Sequence, residues 1–221
     1  MWGGVDQPLW LQYQKEQSER RPLRKMRSTD SRCLELSRTE DGLDTLAAAI
    51  RNCRKCGLAE QRQHAVPGEG NHRARLMFIG EAPGAKEDQS GRPFVGPSGK
   101  FLEQLFAENG IRRDAVFITS CVKCRPPGNR TPSIGELTTC VNSWLLPQIQ
   151  CIDPKIIVLC GRVAALGLLG EPIKISKAHG TLVERNGRNY FISYHPAAGI
   201  RFPKIAAAMR SDFKMLAHLV G

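Results

Sequence analysis

Cysteine thiols and one acidic, glycine-rich loop are the groups in this chain best suited to chemistry. Cys53-Arg-Lys-Cys56 has the C-x-x-C spacing that brings two thiolates to one metal centre. Cys124 and Cys140 are placed to close such a site from across the fold. Four thiolates so spaced suit an iron–sulfur cluster, and four thiolates also bind zinc. Between the second and third cysteine lies Gly80-Glu-Ala-Pro-Gly84, a loop with a carboxylate at the expected end of a strand. Together they predict a structural metal site beside an active site.

The elements around these groups follow from periodicity. Leu43, Leu46, Ala47 and Ile50 share one helical face that leads into Cys53. The apolar run 75–79, ended by Gly80, predicts a buried strand, and residues 100–106 have helical spacing that ends before Gly110. Residues 115–119 predict a second strand. Ser133 and Glu136 have capping-box spacing, which starts a helix that carries Cys140 and runs to about Gln150. A third strand over 155–160 stops at Gly161, and a short apolar helix continues through Leu169. Residues 181–185 and 190–194 flank Asn186-Gly187, a pair that tolerates the positive φ of a hairpin turn. A last helix spans about 203–219. Strands alternating with helices imply an α/β domain with a largely parallel sheet, whose ligand site lies at the carboxyl ends of its strands.

Composition bounds the rest. A chain of 221 residues can bury one good core, so one domain over residues 42–221 is expected, preceded by a charged arm over residues 1–41. Trp2 and Trp10 in the arm could dock on the domain or on an unidentified partner, but the arm reads more simply as a disordered extension. A formal charge of +11 favours a polyanionic partner, nucleic acid first. No run reaches the roughly eighteen apolar residues of a membrane span, and no signal-peptide order opens the chain. A cytoplasmic location without membrane contact is expected, beside the nucleoid in a prokaryote. The eight cysteines are then metal ligands or free thiols rather than disulfides.

Three segments fall at the strand ends: 80–96, 120–130 and 195–197. A phosphate-cradling P-loop is disfavoured, because Phe94 stands where the first glycine before Gly99-Lys100 would be needed.

The motifs in these loops are specific. Gly80-Glu-Ala-Pro-Gly84 followed by Glu87-Asp88, Gly91-Arg-Pro-Phe-Val-Gly96, Val122-Lys-Cys-Arg-Pro-Pro-Gly-Asn-Arg130 and Tyr194-His-Pro-Ala197 resemble the family 4 uracil-DNA glycosylases. The resemblance covers about residues 42–219. It implies a three-layer α/β/α sandwich and a [4Fe–4S] cluster on Cys53, Cys56, Cys124 and Cys140. Cys33, Cys121, Cys151 and Cys160 have no part in that pattern, and burial is the simplest reading of Cys151 and Cys160. It also implies DNA containing uracil or another deaminated base as partner, and a chain acting as a monomer.

Base excision breaks the bond between C1′ and a ring nitrogen, leaving the sugar cationic and the base anionic. Glu81 is suited to the first charge and to the attacking water, which is also the end of the site the family assigns to this position. His195, in neutral form, is suited to donate a hydrogen bond to the base oxygen. Phe94 resembles the family's aromatic that stacks on the flipped base. Gly80, Ala82, Gly84 and Glu87 complete the substrate side, with backbone amides offered to base or phosphate. Lys123, Arg125, Arg130, Arg201 and Lys204 are candidate phosphate contacts, and Ile200-Arg201-Phe202 a candidate wedge for the vacated stack. The family pattern has an asparagine where this chain has Ser120, which puts its selectivity for uracil in question. Two other functions fit the same residues: a non-catalytic nucleic-acid-binding module with a structural cluster, and electron transfer through the cluster.

Overall fold

The computed structural model describes residues 40–220. Trp2, Trp10 and Cys33, with nearly all of the expected arm, lie outside the described residues.

Six strands form one sheet in the order β1-β3-β2-β4-β6-β5. They are β1 (Glu69–Gly70), β2 (Leu76–Gly80), β3 (Phe117–Ser120), β4 (Ile156–Cys160), β5 (Leu182–Arg185) and β6 (Arg188–Ser193). The central four are parallel, and β1 and β5 pair antiparallel at the edges. Because β2 and β4 are buried on both faces, their sequences are continuous apolar runs rather than alternating ones.

Alternate residues of β2 enter opposite cores. Met77 and Ile79 pack toward α1 (Glu40–Arg51), α5 (Ile134–Cys140), α6 (Leu146–Ile152) and α7 (Arg162–Leu169). Leu76 and Phe78 pack toward α4 (Pro97–Glu108) and α10 (Pro203–Val220). The result is the expected α/β/α sandwich. Phe78 sits at the centre of the second layer, edge-on to Phe106 at 4.7 Å and stacked near Phe213 at 5.9 Å. Truncating such a fully buried aromatic costs about 3–5 kcal/mol. Shorter helices α2 (Leu58–Gln61), α3 (Ala85–Ser90), α8 (Ile175–Ala178) and α9 (Pro196–Arg201) lie in the connections.

Several boundaries differ from expectation. β3 begins at Phe117 because Arg113–Ala115 is a 3₁₀ turn. Ser133 and Glu136 do form a reciprocal capping box, the Glu136 amide donating to Ser133 Oγ and the Ser133 amide to Glu136 Oε2. The helix they start is interrupted by a π turn, Val141–Leu145, between α5 and α6. Cys160 is buried as expected, whereas Cys151 is only half-buried. Among the described residues no helix is long and apolar enough to cross a membrane.

Candidate functional site

Parallel strands put their carboxyl ends on one edge, and the register sets Gly80 beside Ser120 and Cys160 beside Ser193. The loops that follow are tied together by backbone. The Cys121 amide donates to Gly80 O at 2.9 Å, the Val122 amide to Glu81 O at 3.2 Å, and the Val66 amide to Lys123 O at 2.7 Å. A cavity of about 480 Å³ opens there, with Ala82, Glu87, Phe94, Ser120 and His195 in its walls. A second depression of about 540 Å³ shares Ala82, Gly84, Asn129, His195 and Arg201 with it and adds Glu81 and Arg130.

His195 ends the connection from β6 and caps the N-terminus of α9. Its Nδ1 accepts the Ala197 amide at 3.2 Å, so the proton of the neutral ring lies on Nε2. Burial pushes the imidazole down from 6.5 to about 4, against a smaller opposing pull from the Glu87 carboxylate. At neutral pH the side chain is therefore an uncharged donor. Gly161 makes room for it: its φ is +95°, and a Cβ there would lie 2.9 Å from His195 Cβ.

Phe94 faces His195 with ring centroids 6.1 Å apart and planes at 29°. It is 6% exposed and has a φ of +50°, unusual for a bulky residue. Gly80 lies against its ring, since a Cβ at Gly80 would come 2.7 Å from Phe94 Cζ. Ser120, 5% exposed, lies at the same wall. Glu81 is partly buried, and desolvation raises its carboxyl above the ordinary 4.5 while Arg162 opposes the rise. Arg162, which was not singled out in the sequence, begins α7 directly after the strand-ending Gly161.

Two expected site residues do other work. Glu87 lines the cavity, but its carboxylate accepts the amides of Gly84 at 3.1 Å, Val95 at 2.9 Å and Gly96 at 2.7 Å. It fixes the loop rather than offering free oxygens to a substrate. Lys123 is 1% exposed, with Nζ donating to Thr119 Oγ1 at 2.6 Å and Ser120 O at 2.9 Å. Burial also pulls its ammonium down to about 8. It cannot reach a phosphate without breaking those bonds. Of the other cations, Arg201 borders both depressions. Arg125 donates to Asn129 Oδ1 at 2.7 Å, and Arg130 pairs with Glu136 at 2.8 Å. Lys204 is exposed on the first turn of α10, outside both depressions.

Cys53, Cys56, Cys124 and Cys140 line one small cavity with Arg62, Lys123 and Trp144. Donors surround the sulfurs. Arg62 Nη1 reaches Cys124 Sγ at 2.9 Å, Trp144 Nε1 reaches Cys53 Sγ at 3.2 Å, and the Lys123 amide reaches Cys140 Sγ at 3.3 Å. Donors aimed at sulfur are what thiolate ligands need to carry negative charge. Burial pushes the Cys140 thiol up to about 12 and raises Cys124 as well, so metal uptake here must displace protons. Among the described residues no three His, Cys, Asp or Glu side chains are grouped to hold a single metal ion. Neither Arg62 nor Trp144 was singled out in the sequence, since their sequence distances from Cys124 and Cys53 hide the contacts.

With this sandwich and cavity in place, the chain matches the Uracil DNA glycosylase superfamily over residues 67–216. The type-4 uracil-DNA glycosylase of Archaeoglobus fulgidus is 41% identical over 189 residues, 82% of this chain and 94% of that protein. That of Saccharolobus solfataricus is 44% identical over 183 residues, 79% and 84% of the two chains. A DNA polymerase of Bacillus phage SP01 is 32% identical over 164 residues, 74% of this chain but 18% of its own length. The chain belongs to the uracil-DNA glycosylase superfamily, among its type-4 members.

Proposed function

We propose that residues 42–221 form a monofunctional uracil-DNA glycosylase domain, with residues 1–41 as an appended arm. The enzyme hydrolyses the N-glycosidic bond of uracil in DNA and leaves an abasic site, the first step of base excision repair. The observation that carries the site assignment is a neutral, Nε2-protonated His195 facing Phe94 across one cavity.

The chemistry then divides between the two ends of the bond. The flipped base stacks on Phe94. As the bond from C1′ to N1 breaks, its electron pair goes to the base, and His195 Nε2–H donates to the base oxygen that gains charge. Glu81, ionised, faces the cationic sugar and takes the proton of the water whose oxygen adds to C1′. Arg125, Arg130, Arg201 and Lys204 supply phosphate contacts, and exposed Ile200 and Phe202 beside the cavity fill the vacated stack. Cys53, Cys56, Cys124 and Cys140 would hold a [4Fe–4S] cluster, supported by their lining one small cavity and by the donors aimed at the sulfurs of Cys53, Cys124 and Cys140. The cluster's part is structural, joining the end of α1 to the loop after β3 and to α5. A monomer working in the cytoplasm, beside the nucleoid in a prokaryote, completes this reading.

The test is excision by purified protein on oligonucleotides carrying uracil, hypoxanthine, xanthine or thymine, single- and double-stranded. Abasic product from uracil is expected. DNA binding without any abasic product would instead favour a binding module.

The pH dependence follows from the two environments. Glu81 must be ionised, and its carboxyl is raised, so activity is lost earlier on acidification than an ordinary glutamate would allow. His195 stays neutral down to about pH 4 and adds no limb near 6.5. A pH–rate profile should show an acid limb that Glu81→Gln flattens and His195→Gln leaves in place. A limb near 6.5 removed by His195→Gln would reverse the assignment. The contribution of His195 to stability moves in the same direction. The depressed folded value of His195 contributes stability fully above 6.5, and this contribution is lost as pH falls toward 4.

Ser120 lines the cavity with one hydroxyl where an asparagine would offer both a donor and an acceptor. Ser120→Asn is expected to sharpen discrimination for uracil over the other bases in that panel. An identical base spectrum in parent and variant would show that position 120 does not read the base.

A further inference from the structure

Phe94 holds a left-handed backbone with a bulky side chain, a conformation that persists only when the surroundings fix it. One of the fixing groups lies outside the cavity. Arg113 Nη2 donates to Pro93 O at 2.7 Å, and Nη1 reaches Phe94 O at 3.5 Å. The same two nitrogens also pair with Glu69 at 2.8 Å and Glu103 at 3.0 Å, and the side chain is 23% exposed. Glu69 is pinned in turn by Arg92 at 2.8 Å. From within the loop, Glu87 takes the Val95 amide. Gly99 lets α4 close over the same peptide, because a Cβ there would lie 1.7 Å from Phe94 O.

We infer that Arg113 is a positioning residue for base recognition: its planar fork holds the Pro93 and Phe94 carbonyls and keeps the Phe94 ring across the cavity from His195. Arg113 lines neither depression, so it acts only through Phe94. A guanidinium suits the task because it can serve two carbonyls and two carboxylates in fixed directions, which an ammonium cannot. This inference rests on the reading of Phe94 as the stacking residue.

The test is a double-mutant cycle on single-turnover uracil excision, with Arg113→Gln and Phe94→Ala alone and together. Arg113→Gln is expected to slow excision about tenfold in the parent, within the value of one base–aromatic stack, and to have almost no effect once Phe94 is alanine. Affinity for undamaged duplex should stay at the parental value. Equal slowing in both backgrounds would overturn the role of Arg113 and leave the stacking reading standing. A parental rate for Phe94→Ala would remove the stacking reading and this inference with it. Should Arg113→Gln fold poorly, Arg113→Lys decides: it keeps the charge beside Glu69 and Glu103 but loses the fork, and the slow rate should persist. A parental rate for Arg113→Lys would show that charge alone suffices and the carbonyl clamp is wrong.

Discussion

His195→Ala is expected to slow single-turnover excision of uracil by about 10²–10³-fold, the usual cost of removing one pre-aimed donor from a developing anion. The argument needs three features at once. The ring is neutral because burial pulls its proton affinity down, its proton is on Nε2 because Nδ1 is engaged by Ala197, and Gly161 leaves it space at the cavity. A neutral donor costs less to bury than an imidazolium, yet it strengthens as the leaving base gains charge. Affinity for undamaged DNA should change little, because the interaction matures only in the transition state. The substitution also leaves the Ala197 amide without its cap, a loss of about 1 kcal/mol that thermal melting can report separately. Excision at the parental rate would remove His195 from the mechanism.

Cys124→Ser is expected to abolish the metal content and to lower the melting temperature by roughly 10 °C, the shift for about 3–4 kcal/mol in a chain of this size. Cys124 joins segments distant in sequence. Its sulfur takes a hydrogen bond from Arg62, and the same guanidinium bonds Arg51 O at 3.0 Å and Cys53 O at 2.8 Å. Iron and sulfide analysis of anaerobically purified protein should give about four iron per chain in the parent, with broad visible absorption. Cys151→Ser, at a half-buried thiol outside the cavity, should keep that content. One zinc and no iron in the parent would replace the cluster with a simpler site.

Much of this arrangement was legible in the sequence where local rules dominate. Continuous apolar runs stopped by Gly80 and Gly161 marked β2 and β4, and Asn186-Gly187 adopts the expected positive φ at both positions. The capping box at Ser133 and the convergence of the four cysteines were also readable. What was not readable depends on contacts distant in sequence. The π turn at Val141–Leu145 alters helical period over only five residues, too few for a pattern of side chains to register. Lys123 looks like any surface cation until Thr119 and Ser120 are seen to enclose its amine. Glu87 looks like a free site carboxylate until the amides of Val95 and Gly96 turn back onto it.

The loop after β3 serves two masters, and this restricts how base preference can be changed. Within five residues, Ser120 at the end of β3 lines the cavity, Lys123 buries its amine and Cys124 presents its thiol. The loop's amides and carbonyls grip Gly80, Glu81 and Val66. Insertions here would shift the Cys124 thiol and the Gly80-Glu81 loop together, so change at this loop is confined to side-chain exchange at fixed length. The segment after β6 carries no cysteine, but it is fixed by packing as well: His195 caps α9, and a Cβ at Gly199 would come 2.4 Å from the Phe101 ring. Altered base preference should therefore arise by substitution near Ser120 rather than by a change of length in either segment.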